Sequence, residues 1–138
     1  MPPFRIVDYI FPEVECSACL DFPSDNSAQD DPMVNIDATQ AVKQDDENMH
    51  RLSLEIRFGG DDRTVPYRGR VKVVGIFEVR PDCPDKDEIV RINGGSLLYS
   101  AAREFVLSIT SRGPNPPLLL PTIRFLPEDE EKVCENAE

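Results

Sequence analysis

Leu52-Ser53-Leu54-Glu55-Ile56-Arg57-Phe58 sets four apolar side chains on one side of an extended chain and three polar ones on the other. Strict alternation at period two is the pattern of a β-strand with one buried face. The strand stops at Gly59-Gly60-Asp61-Asp62, residues that tolerate the positive backbone angles of a turn. A second extended segment runs from about Thr64 to Arg80 and places Val71, Val73 and Phe77 on one face, so the two are expected to pair as an antiparallel hairpin. Upstream, Val34, Ile36 and Ala38 alternate with Asn35, Asp37 and Thr39 in a third strand, and Phe4 to about Cys16 forms a fourth. That first strand is apolar on both sides, with Phe4, Ile6 and Ile10 on one and Val7, Tyr9 and Phe11 on the other. Its second face must be covered by something or left open. A polar crossover from Asp21 to Pro32, with two prolines, links it to the next strand and is expected to be mobile.

After Arg80 the prolines and charges of Pro81-Asp82-Cys83-Pro84-Asp85-Lys86-Asp87-Glu88 close the sheet region, and then the period changes. From about Ser96 to Arg112, Leu98, Ala101, Ala102, Phe105 and Ile109 fall at helical spacings, with Ser96 as the expected N-cap and Gly113-Pro114 as the stop. Leu107 lies opposite this stripe, which suits a helix that touches a second body such as another subunit. Pro114-Asn115-Pro116-Pro117 then leads into Leu118-Leu119-Leu120-Pro121-Thr122-Ile123-Arg124-Phe125, extended because proline disfavours helix for itself and its predecessor. The expected architecture is α+β, a four-stranded antiparallel sheet with one long helix packed on one side. Residues 1–126 form the domain and residues 127–138 an acidic tail.

Composition narrows the function. With 26 acidic against 15 basic residues the net charge is −11, and the basic residues are scattered singly, so nucleic acid is not an expected partner. No apolar run approaches the roughly 18 residues that cross a bilayer. The start Met1-Pro2-Pro3-Phe4-Arg5 lacks the basic-then-apolar order of a signal peptide, so a cytoplasmic protein with free thiols at Cys16, Cys19, Cys83 and Cys134 is expected.

Catalytic chemistry finds little purchase. Cys16-Ser17-Ala18-Cys19 has redox spacing, yet it ends a strand instead of opening a helix, where a thiol pKa would be lowered. As a zinc site it lacks further ligands nearby; the structural reading is two small side chains on opposite faces of a strand. His50, the only histidine, sits in a polar stretch and is expected at the surface. Asp45-Asp46-Glu47 and Asp61-Asp62 lack the spacing of a calcium loop and read as solvated turns. Gly94-Gly95-Ser96 could cradle an anion but has no phosphate-loop lysine. No enzyme activity, cofactor or metal is expected. What remains is apolar surface that a sheet with one helix cannot bury, available for self-association or for binding other chains.

Ser96 to Phe125, SLLYSAAREFVLSITSRGPNPPLLLPTIRF, resembles the corresponding stretch of the SecB protein-export chaperone family. The matching positions are Tyr99, Ala102, Arg103, Glu104, Ser111, Arg112, Gly113, Pro116, Leu118, Leu120, Pro121 and Phe125. Gly75-Ile76-Phe77 and Phe4-Arg5-Ile6 are similar as well. The resemblance implies a dimer of dimers with helices between sheets, and ATP-independent holding of unfolded, export-bound clients for delivery to the SecA motor. Two departures bear on that last duty. Arg68-Gly69-Arg70 stands where the family tends to carry acid, while Glu13 keeps part of an acidic docking surface; and Leu126-Pro127-Glu128 interrupts the family's C-terminal helix. An antitoxin client fits as well as an export client.

The residues expected to contact clients are Tyr9, Phe11, Phe22, Val74, Ile76, Tyr99 and Phe125, with core packing as the alternative for each. Arg68, Arg70, Val71, Val73 and Leu107 are the expected subunit contacts, and Glu13 the docking residue for a partner. A second function class is an adaptor that binds one folded partner through the same surface.

Overall fold

The computed structural model describes residues 4–22, 34–43, 46–60 and 65–125; most of the expected crossover, the acidic tail and Cys134 lie outside the described residues. The Leu52–Phe58 alternation and its partner make the centre of a single antiparallel sheet. Its strands are β1 (Phe4–Ala18), β2 (Val34–Lys43), β3 (Asp46–Phe58) and β4 (Tyr67–Val79), in the order β1-β4-β3-β2. Leu54 sits opposite Val73 and Ile56 opposite Val71. Because residues opposite one another share a face, Leu52, Leu54, Ile56 and Phe58 of β3 join Val71, Val73, Phe77 and Val79 of β4 in one layer, each at most 1% exposed. The hairpin turns at Gly59, whose φ of 87° and whose approach to Arg68 (a Cβ would lie 2.4 Å from the arginine Cβ) leave room only for glycine.

In β1 the pairing register shifts between Ile6 and Asp8 and again between Ile10 and Glu13. Each shift is a bulge, which resets side-chain parity. Simple alternation divides the apolar residues between two faces. The bulges instead bring Phe4, Ile6 and Phe11 to one side, where Phe4 stacks on Phe77 at 5.2 Å and Phe11 on Phe105 at 4.5 Å. Ile10 stays on the other, opposite Val74. The second bulge spans Pro12, which has no N–H to give to the ladder.

The helical region starts earlier than the period suggests. It runs through α1 (Lys86–Ile89), a π-turn (Val90–Gly94) and α2 (Gly95–Thr110). Ser96 is therefore an exposed residue within the helix and not its cap. Asp87 and Glu88, read from sequence as loop charges, occupy the first turn, where carboxylates suit the free N–H groups. Gly95 serves packing and not anion binding: a Cβ there would lie 2.8 Å from the Phe125 ring. The buried residues of α2 are Leu98, Tyr99, Ala102, Val106 and Thr110 along with Gly95. Phe105 and Ile109 flank them, half-buried. The stripe is turned from the expected one because α2 is covered on two sides, by the sheet and by the chain that follows.

That following chain, residues 116–125, is extended and lies back along α2. Leu118, Leu120, Ile123 and Phe125 are buried in the same core cluster as α2, while Leu119 is exposed. Among the described residues no helix is long and apolar enough to cross a membrane.

Candidate functional site

The returning strap is held by side chains that grip its backbone. Tyr99 Oη donates to the Pro121 carbonyl at 2.5 Å, and Arg103 Nε donates to the Leu120 carbonyl at 2.6 Å. The Leu118 N–H donates to Thr110 Oγ1 at 2.9 Å, and that hydroxyl donates to the Val106 carbonyl at 2.7 Å. At the strap's start, Asn115 Nδ2 donates to the carbonyls of Cys19 (3.0 Å) and Pro66 (2.8 Å), and its N–H donates to Tyr67 Oη at 3.1 Å. One asparagine thereby fastens the helix exit to the end of β1 and the entry to β4. Burial pushes the Tyr99 phenol well above its ordinary range, against a smaller opposing effect of Arg103, so it remains a donor through the physiological range.

The face of the sheet away from α2 has no covering layer among the described residues. By register it carries Asp8, Ile10, Glu13 and Glu15 from β1, Arg68, Arg70, Lys72, Val74, Ile76 and Glu78 from β4, and Met49, Arg51, Glu55 and Arg57 from β3. Arg70 stands at its centre. Its guanidinium donates to Glu13, to Glu55 at 2.8 Å and to Glu15 at 3.0 Å. The hydrogen bond from Arg70 and then its charge hold the Glu13 carboxyl below its usual range. Glu13, expected as a docking residue, is thus engaged within its own sheet. Beside this lattice Ile10, Val74 and Ile76 make an apolar strip, ending in a cleft of about 400 Å³ whose walls include Ala41, Met49, Arg51 and Ile76.

A second apolar surface follows β1, the outer strand, whose far edge is unpaired among the described residues. Val7, Tyr9 and Val14 are exposed there, and Tyr9 meets Phe11 edge-on at 6.0 Å, continuing the stack to Phe105 on α2. Leu97 is exposed on the same helix.

The expected site residues therefore separate. Tyr9, Phe11, Val74 and Ile76 lie at or near the surface, as do Arg68 and Leu107. Tyr99 is a core residue closed over by the strap, Phe125 is one of the strap's own buried side chains, and Phe22 packs with Cys19 and Val65 in a small separate cluster, so none of the three offers surface to a client in this fold. Val71 and Val73 are fully buried beneath α2 and are core, not subunit contacts, because their parity is that of Phe77. Cys16 and Cys19 are not a pair on one strand: Cys19 lies past the end of β1, in the turn. Burial, with a smaller contribution from Cys19, pushes the Cys16 thiol up, opposite to what a redox nucleophile needs. His50 is 2% exposed and not a surface group, since its parity is that of Leu52 and Leu54. Thr110 and Asn115 escaped the sequence reading. Their only signal is a polar residue at a helical core position and an asparagine between prolines.

A single antiparallel sheet, one long helix on one face and a strap returning along that helix define an α+β binding fold whose other sheet face is open among the described residues. The model of the family described as preprotein translocase subunit SecB matches residues 19–127, and the chain belongs to the SecB family. A protein-export protein SecB of Anaplasma phagocytophilum is 33% identical over 95 residues, 65% of this chain and 60% of that protein. The match thus spans under two thirds of that relative's length. Among solved structures, the fold is similar to the SecB-like chaperone Rv1957 of Mycobacterium tuberculosis, solved in complex with a ChAD peptide from the HigA1 antitoxin. The TM-score is 0.62, with 12% identity over 86% of each chain. A protein of unknown function from Streptococcus agalactiae gives a TM-score of 0.50 at 11% identity, over 86% of this chain and 97% of that one.

Proposed function

We propose that this protein is an ATP-independent holdase that binds unfolded or aggregation-prone polypeptide, in protein export or in toxin–antitoxin control. The observation that carries the reading is the uncovered sheet face with Ile10, Val74 and Ile76 on it, together with the outer strand β1, whose far edge is unpaired among the described residues and where Val7, Tyr9 and Val14 are exposed. Apolar strips accept many sequences by non-directional burial, and a free edge offers main-chain pairing that ignores side-chain identity. Tyr9, Phe11, Val74 and Ile76 are the client contacts. Membership of a chaperone family and the antitoxin peptide bound to the mycobacterial relative support the same reading. The protein works as a homotetramer, a dimer of dimers, in the cytoplasm, with Arg68 and Leu107 among its subunit contacts and no catalysis of its own.

The test is suppression of aggregation of several unrelated unfolded proteins without ATP. Failure with all of them refutes the holdase. Protection of one protein alone favours the adaptor reading, for which the Arg70 lattice speaks: three carboxylates fixed around one guanidinium make a defined surface that a single partner can match. SecA is a less fitting partner for that face, because Arg70 neutralises Glu13 where an acidic docking group is expected.

A further inference from the structure

His50 is buried under the start of the helical region, and neither of its ring nitrogens has a hydrogen-bond partner. Imidazole nitrogens in the interior are ordinarily bonded, because leaving one bare costs its hydration with no return. Asp87 of α1 brings Oδ1 to 3.6 Å from His50 Nδ1. That is too far for a hydrogen bond. It is close to the separation of two ligands on one tetrahedral ion: with metal–nitrogen and metal–oxygen bonds of about 2.0–2.2 Å, the two donors stand roughly 3.3–3.6 Å apart.

The surroundings supply more donors. An open cleft of about 620 Å³ is lined by His50 and Asp87 together with Cys83, Glu47, Asp85 and Glu88; Lys86 and Arg91 also border it and oppose a cation. Thiol, imidazole and carboxylate are the donor set of zinc-class ions. Gln40 Nε2 donates to the Asp87 carbonyl at 3.1 Å, which steadies the carboxylate's own residue against β2. The backbone here is also unusual: Asp85 holds a left-handed φ of 53°, and a π-turn follows at Val90–Gly94. Both features are enriched where a fold serves a site. Among the described residues no three such donors yet meet at one point, so a third must swing in. Cys83 lines the same cleft and is the thiol available for that, half-buried in the turn before α1, with its Sγ donating to the Pro84 carbonyl at a loose 3.5 Å.

We propose that this cleft binds a divalent cation of the zinc class through His50 and Asp87, with Cys83 as third ligand and water completing the shell. The ion pins the start of the helical region to β3. The test titrates metal-free, full-length protein with zinc by calorimetry and with cobalt(II) by absorption, and follows melting with and without metal. One equivalent is expected, with a thiolate-to-cobalt band and a higher melting temperature. Asp87→Asn removes an exposed carboxylate without disturbing the core and should weaken binding roughly tenfold or more, the loss expected on removing a metal-supporting group. Cys83→Ser should remove the thiolate band, and His50→Gln should abolish binding. The combined Cys16→Ser and Cys19→Ser variant should bind as the unaltered protein does. No stoichiometric binding, binding indifferent to Asp87→Asn, or a thiolate band lost with Cys16 and Cys19 would each overturn the proposal.

Discussion

Thr110→Val tests whether the strap is clamped by hydrogen bonding or only pressed on by apolar contact. Thr110 is 1% exposed, and its hydroxyl is the acceptor for the Leu118 N–H. Valine keeps the shape of threonine and removes that acceptor, which leaves a backbone N–H bare in a buried place at a cost of about 1–3 kcal/mol. Thr110→Ser is the control. It keeps the hydroxyl and loses one methyl, for about 1 kcal/mol. Urea unfolding gives both losses, and the melting temperature should fall by about 4 °C for each kcal/mol. Since the two ranges touch, the decisive reading is local: amide exchange at Leu118. In the valine variant that amide should exchange at the rate of an open strap, while in the serine variant it stays as protected as before. A Leu118 amide equally slow in Thr110→Val, with stability within about 0.5 kcal/mol of the unaltered protein, would show that the hydroxyl does not hold the strap.

Other expectations are as direct. Because the Glu13 carboxyl is held below its ordinary value of 4.5, its link to Arg70 stabilises the fold above that pH and is lost as pH falls through the lowered value. In Arg70→Gln, a carboxyl NMR titration should find Glu13 back near 4.5; an unmoved Glu13 refutes the link. The Tyr99 phenol is raised, so it stabilises the fold below the phenol's ordinary 10.0 and that contribution goes as pH rises through the raised value. In an ultraviolet titration the Tyr99 phenol should ionise above 10.0, and ionisation at or below that value would contradict the burial and the bond to Pro121. Ile76→Asp changes a half-exposed group on the open face, so it should reduce aggregation suppression severalfold while leaving the urea midpoint nearly unmoved. Unchanged suppression would remove Ile76 from the client surface.

The central hairpin was readable from sequence because one covered face forces strict alternation, and Leu52 to Phe58 obeys it without interruption. β1 was not readable in detail. Two bulges reverse its parity, and nothing in Phe4-Arg5-Ile6-Val7-Asp8 announces the first. The helix start was hidden by its own charges, since Asp85-Lys86-Asp87-Glu88 has the composition of a loop. For the candidate surface the parity of β4 was enough to turn Val74 and Ile76 outward. Aromatic character was not enough to keep Tyr99 and Phe125 exposed, because it cannot tell an open groove from one that a later segment closes. His50 was within reach: it shares parity with Leu52, Leu54 and Ile56, and polar neighbours on the chain are the outward residues of the same strand.

The positions that carry the likeness to the SecB family have a common task in this structure. Tyr99 and Arg103 bind main-chain carbonyls of the strap, and Leu118, Leu120 and Phe125 are the strap's buried side chains. They specify how residues 116–125 lie on α2, so their retention fixes the architecture and places few limits on what the protein binds. The open sheet face is on the opposite side of the core and shares no hydrogen bond with the strap among those described. Its chemistry can change by single substitutions without loosening the fold. Arg70 is such a case: one guanidinium draws together Glu13, Glu15 and Glu55 from two other strands. Arg70→Gln separates the two roles. Leu118 exchange and the Tyr99 titration should be untouched, because no bond joins that lattice to the strap, while binding at the open face should change. A strap that loosens in Arg70→Gln would mean that the two faces are coupled through the core and that the family's shared residues do limit its partners.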